Sequence, residues 1–289
     1  YAIIEEPARG WSAPVLASLL GGLALTAMFG LWQRRAAHPL IDLRLLADRL
    51  FSWGTAAFAL LSFAMTGVLF ILTPYLQSVQ GNDAQGTGLR LLPMIGALIA
   101  AAAASQAAAA RLGVRVVIPA GMVVSAAGLV ILTQATATSG YGIVALALAV
   151  FGAGLGLGLP LAADAVLGTL PSHQTGMGNA VSRTVQSIGV ALGTAILGSV
   201  LNTAYRSGLA SHLTGLPAAA SGAASASIAA ARGVAERLSG RAGLALARAA
   251  GNAYVHGMVR GEAVGVGLLL AGAVMCLLLL PGKSQERAA

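Results

Sequence analysis

Of the 289 residues, 57% are hydrophobic and only 9% charged, with a mean hydropathy of +0.82; soluble domains carry about 25% charged residues. So few charges cannot cover a water-facing surface, which makes this an integral membrane protein solvated by lipid. The net charge of +8 and pI near 10.8 do not point to nucleic acid, because the arginines are scattered between apolar blocks with little aromatic interleaving.

A spanning helix needs about 20 mostly apolar residues, and seven segments meet that measure: 12–32, 53–76, 89–110, 114–134, 141–169, 176–203 and 257–280. Turn-like breaks such as "QGNDAQGTG", "RLGVR" and "TLPSHQTG" separate them, which predicts an all-α, polytopic bundle. The chain opens on "YAIIEEPARGW", without a basic leader or a starting methionine, and so reads as the middle of a longer chain. After the first segment, "HPLIDLRLLADRLFSW" carries Leu43, Leu46 and Leu50 at helical spacing opposite Asp42 and Arg49, the pattern of a helix lying in the membrane interface. Segment 53–76 then sets Ser62, Thr66, Phe70 and Thr73 at helical spacing beside Phe63 and Met65. Two readings stand for that face: a mostly apolar lining with polar handles, suited to an amphiphilic substrate, or ordinary packing.

The "RLGVR" turn places Arg111 and Arg115 at the ends of two apolar segments, where they hold a tight connection at the headgroup level. Farther on, "FGAGLGLGLP" invites comparison with a dinucleotide-binding loop, but its third glycine is out of phase with G-x-G-x-x-G. Nor is it a strand, since the apolar segment around it is far too long. On a helix, Gly152 and Gly156 lie one turn apart, as do Gly154 and Gly158, and two G-x-x-x-G pairs let neighbouring helices approach closely. Pro160 follows and permits a bend.

Ionisable residues at membrane depth are candidates for function. Asp164 and Arg183 stand toward the ends of consecutive segments joined by a short loop, as a fixed ion pair or as a proton-coupling site. Asn179, Arg183 and Gln186 follow one helical face, which avoids lipid by meeting another helix or a water-filled cavity, and Gly189 and Gly193 permit close packing beyond them. Residues 205–256 are rich in Ala, Ser and Gly, and 228–250 suits one or two short helices on the outer surface; the segment reads chiefly as a variable solvated connector, with a binding role as the alternative. Glu262, near the start of the last segment, reads as reaching water. The four histidines lie at or beyond segment ends without metal-ligand spacing, and Cys276 in "VMCLLLL" reads as packing, so neither a metal site nor a cofactor is expected.

Arginine placement sets the orientation. Arg34, Arg35, Arg44, Arg49, Arg111, Arg115, Lys283 and Arg287 collect on one side, which is therefore cytoplasmic, while the long loop 205–256 lies outside.

In this order and spacing, "PLIDLRLLADRLF", "LTPYLQSVQGNDAQGTGLRLLP", "RLGVR" and "TGMGNAVSRTVQSIGVALGTAILGSVL" resemble the C-terminal half of the fourteen-helix drug:proton antiporters of the major facilitator superfamily, the EmrB/QacA type. The resemblance covers nearly the whole chain. It implies that residues 1–52 hold an extra central helix, about 12–32, and a cytoplasmic amphipathic linker, and that 53–281 form the C-terminal six-helix domain with its outer loop 205–256. Residues 282–289 then form a cytoplasmic tail. The resemblance further implies a missing N-terminal domain and a place in the inner (plasma) membrane. "RLGVR" would be a degenerate copy of the superfamily's loop motif, lacking its acidic residue.

The function implied is proton-coupled export of drugs or other small amphiphilic molecules, by binding and exchange through alternating access, with no covalent catalysis. Its partners are the substrate, protons, the lipid bilayer and the N-terminal half. The alternative is a truncated half-domain that inserts in the membrane but does not transport alone. An intramembrane enzyme would need a nucleophile with a base or a metal cluster, and the sequence shows no such constellation.

Overall fold

A computed structural model describes residues 49–168, 175–214, 216–238 and 240–280, together with scattered positions between 13 and 31 that are all helical. The expected interfacial helix before Arg49, Asn179's side chain and the tail beyond Leu280 lie outside the described residues, as do ten of the 21 positions of segment 12–32. All regular structure among the described residues is helical.

The first long helix, α1 (Arg49–Pro74), ends where Pro74 lacks the N–H that would continue it, and a π-helical turn (Tyr75–Val79) completes the crossing. Asp83 then starts α2 (Ala84–Arg90), its carboxylate accepting from the Gly86 amide at 2.7 Å. A break at Leu91 passes the chain into α3 (Leu92–Leu112), which carries proline in its first turn. Gly113, at φ +88°, makes the reversal into α4 (Val114–Leu132), a conformation that favours glycine. The bundle continues with α5 (Tyr141–Gly168) and α6 (Thr175–Leu209) and closes with α9 (Gly240–Leu279). Six of the described helical segments are long and apolar enough to cross a membrane.

Close approach of backbone to backbone organises the bundle, as expected where lipid gives helices no hydrophobic reason to associate. The two glycine pairs of α5 serve different neighbours. A Cβ at Gly152 would meet the Met94 carbonyl, and one at Gly156 the Leu98 carbonyl, both on α3. A Cβ at Gly154 would meet the Ser125 amide on α4, while one at Gly158 would meet the Leu61 side chain on α1 at 2.7 Å. Gly189 and Gly193 of α6 lie against the Ala59 and Phe63 carbonyls of α1 in the same way. Between these contacts sit buried Leu61, Ile118, Met122, Leu129, Leu148 and Phe151, whereas Leu92, Ile95 and Ile99 of α3 and Leu270 and Leu278 of α9 are exposed on the outside of the bundle.

The segment 205–256 departs from the solvated connector that its composition suggests. It holds the end of α6, a 3₁₀ turn (Ala210–His212), α7 (Ala218–Ala226), α8 (Ile228–Leu238) and the first four turns of α9. Ala224, Ile228, Ala231 and Ala235 are buried, and Gly243 of α9 lies against the Ala235 carbonyl. At 1.5 Å per residue α9 is about 60 Å long, roughly twice the hydrocarbon thickness. Its amino-terminal turns and the end of α6 therefore stand clear of the lipid core, and α7 and α8 pack on them as a cap. Alanine explains this: its small side chain suits both helix formation and close packing.

Candidate functional site

At the end of the bundle that carries the cap, a cavity of 420 Å³ opens between α1, α6, α9 and the α7–α8 junction. Phe70 and Pro74 come from α1, Thr194 to Tyr205 from α6, Tyr254 from α9, and Ala226 to Ala229 form the roof. Phe70 is there because the Pro74 end of α1 leaves its ring against Gly198, where a side chain's Cβ would meet it at 2.9 Å. Most polar groups around the cavity are already engaged. The Tyr205 hydroxyl donates to the Ala224 carbonyl at 2.9 Å, that of Tyr254 to the Ile71 carbonyl at 2.8 Å, and Thr194 to carbonyls one turn back. Tyr205 and Tyr254 also meet edge to face, with ring centroids 6.2 Å apart. The side chains of Ser199 and Asn202 have no hydrogen-bond partner among the described residues, so the site offers aromatic walls and two polar handles. Such a lining takes an amphiphilic molecule.

The sequence-selected residues fall in different places. Of the α1 set, Phe70 alone lines the cavity. Ser62 is buried under Gly189, its hydroxyl without a partner, and Thr73 bonds back to Leu69 at 2.8 Å, while Thr66 is half-buried outside the lining. Asp164 and Arg183 do not form an ion pair. Asp164 instead accepts from the Gln106 side chain of α3 at 2.6 Å, and both Asp164 and Arg183 are exposed on the outside of the bundle. Thr184 and Ser187 are also exposed and Gln186 is half-buried, so toward the end opposite the cap both α5 and α6 present polar side chains where a lipid-facing surface would be apolar. At that end the Arg115 Nε donates to the Leu277 carbonyl at 2.9 Å, satisfying one of the free carbonyls at the end of α9. Arg111 stands beside the same reversal, in the last turn of α3.

Residues 7–194 match the family model of the Major Facilitator Superfamily. The chain belongs to that superfamily. It is a multi-pass membrane protein of a transporter family, and several of its relatives carry names from drug resistance. It is 30% identical over 214 residues to the multidrug resistance protein Stp of Mycobacterium tuberculosis, covering 74% of this chain and 40% of that protein. It is 29% identical to the tetracenomycin C resistance and export protein of Streptomyces glaucescens, covering 70% of this chain and 38% of the relative. It is 27% identical to the multidrug efflux pump LfrA of Mycolicibacterium smegmatis over 95% of this chain and 54% of the pump. The chain thus spans about half or less of the length of these transporters.

Within this superfamily domain one residue stands apart from the sequence reading. Glu262 does not reach water: it is 1% exposed, and neither carboxylate oxygen has a hydrogen-bond partner. The pattern that reveals it is Gly257, Gly261 and Gly265, one turn apart and buried on α9. A Cβ at Gly261 would meet Ile71 of α1 at 2.8 Å, and one at Gly265 would meet Leu129 of α4 at 3.1 Å, so Glu262 shares the face that closes on the core.

Proposed function

We propose that this chain supplies the C-terminal six-helix half of a proton-coupled exporter of small amphiphilic molecules, and that the cap end faces outward. The cavity carries the reading: it is of small-molecule size, walled by Phe70, Tyr205 and Tyr254, and it lies between α1 and α6 of a superfamily domain whose relatives are named for drug resistance and export. Aromatic walls with Asn202 and Ser199 as handles favour flat, partly polar organic molecules. Binding and exchange by rocking of two domains need no covalent step and no cofactor. The exposed patch of Asp164, Gln106, Arg183, Thr184 and Ser187 supports a second six-helix domain as the partner that covers it, since polar side chains at membrane depth avoid lipid. By the same argument the chain alone inserts without transporting.

Ethidium, a flat amphiphilic cation, tests the site directly through its fluorescence on binding to the purified chain. Ala195→Phe, which fills the cavity, and Asn202→Leu, which removes a handle, are expected to weaken binding at least tenfold. Binding unchanged in both variants would place the substrate elsewhere.

A further inference from the structure

Glu262 is buried in α9 about two helical turns from Tyr254, the residue that α9 contributes to the cavity. An unpaired carboxylate so placed is costly to the fold, and a glutamine would fill the same space without ionising. No hydrogen bond is served by its presence. Among the described residues, the titratable groups that feel this carboxyl are two tyrosines: Tyr75, from the π-helical end of α1, and Tyr254 on α9 itself. Tyr205 of α6 stands behind Tyr254.

Charged groups lie elsewhere. On α9, His256 and Arg260 are on the exposed face. On α4, Arg115 holds the Leu277 carbonyl, about 22 Å along α9 from Glu262 at 1.5 Å per residue. On α6, Gly261 abuts Leu197, with Arg183 fourteen residues before that level and Arg206 nine after it. Arg232, Glu236 and Arg237 of α8 belong to the cap.

Tyr75 links this place to the cap end of the bundle. Its hydroxyl donates to the Thr136 carbonyl at 2.8 Å and accepts from the Gln80 amide at 3.1 Å, and Gln80 in turn accepts from half-buried Arg90 at 3.3 Å. Of the two tyrosines that feel the carboxyl, Tyr75 belongs to the polar network of Gln80 and Tyr254 to the lining of the cavity.

We propose that Glu262 is the carboxyl that exchanges the coupled proton, reached from the cap end past Tyr75 and Tyr254; the word "coupled" rests on the exporter reading above. In the exchange a carboxylate oxygen gains one proton from water at the cap end, and the carboxylic acid later returns it to water when the domain rearranges. An unpaired charge at this place is costly, so the neighbours that bury the carboxyl must open for the proton to exchange.

Two measurements keep this inference separable from the exporter reading. Infrared difference spectroscopy of the 289-residue chain in liposomes follows the carbonyl band of a protonated carboxyl through a pH titration. A titrating band is expected that disappears in Glu262→Gln, shifts in Glu262→Asp and persists in Glu236→Gln, a change on the exposed cap. In the assembled exporter, ethidium movement driven by an imposed pH gradient is expected to fall at least tenfold in Glu262→Gln, while ethidium exchange without a gradient continues and Glu262→Asp restores part of the driven movement. Full gradient-driven transport by Glu262→Gln, or no band assignable to Glu262, overturns the inference. If the unsubstituted exporter moves no ethidium, the exporter reading falls, and the infrared titration alone decides whether Glu262 exchanges a proton. Should Glu262→Gln fail to fold, the shifted band of Glu262→Asp provides the same decision.

Discussion

Gly154 and Gly156 sit one on each side of α5, against the backbone of α4 and α3 respectively, so a side chain at either position must push a helix away. Gly222, on the cap, has nothing within 4 Å of where its Cβ would lie. Gly154→Leu and Gly156→Leu are therefore expected to destabilise the chain by about 1–3 kcal/mol each, and Gly222→Leu to leave thermal stability in detergent unchanged; equal loss in all three would mean that α5 does not depend on close packing. The spacing of these glycines was readable because period four on a helix needs no tertiary information. Glu262 was not readable in the same way. Its place near the start of the last apolar segment and beside Arg260 points to water, and only the Gly257, Gly261 and Gly265 stripe next to it indicates which way that face of the helix turns. The Asp164 and Arg183 pairing shows the converse limit: adjacency of two segment ends does not fix the rotation of either helix, and Asp164 turns to Gln106 of α3 instead.

At the scale of elements, long apolar runs made the bundle legible, while the cap was obscured by its composition. The first turns of α9 contain Arg241, Arg248, Asn252 and His256, too polar to count as a membrane segment, so the last helix reads as starting near Gly257 when it starts at Gly240. Ala-rich, Ser-rich sequence likewise reads as a connector, although alanine faces pack closely once a partner is present, and α6 and α9 supply one by overrunning the bilayer. The Tyr205 hydroxyl ties the cap to the bundle through the Ala224 carbonyl. Removing it in Tyr205→Phe should cost about 1 kcal/mol and speed amide hydrogen exchange in α7 and α8 roughly fivefold, with the spanning helices unaffected. Unchanged protection in α7 and α8 would assign the cap's attachment to its apolar contacts alone.

On the whole-molecule scale, the described bundle has two kinds of outer surface. One is apolar, built by residues such as Leu270 and Leu278 of α9, and suits lipid. The other carries Asp164, Gln106, Arg183, Thr184 and Ser187, which lipid does not solvate. Such a face supports the proposal above that a second six-helix domain covers it and rocks against it. This is the central claim, and efflux from living cells tests it most directly. Bacteria lacking their own ethidium pumps are loaded with ethidium and re-energised, and its loss is followed by fluorescence in cells expressing the 289-residue chain alone or together with an N-terminal six-helix half. No efflux above the empty-vector rate is expected from the chain alone, and efflux abolished by a protonophore is expected when the two halves are present; protonophore-sensitive efflux from the chain alone would contradict the need for a second domain.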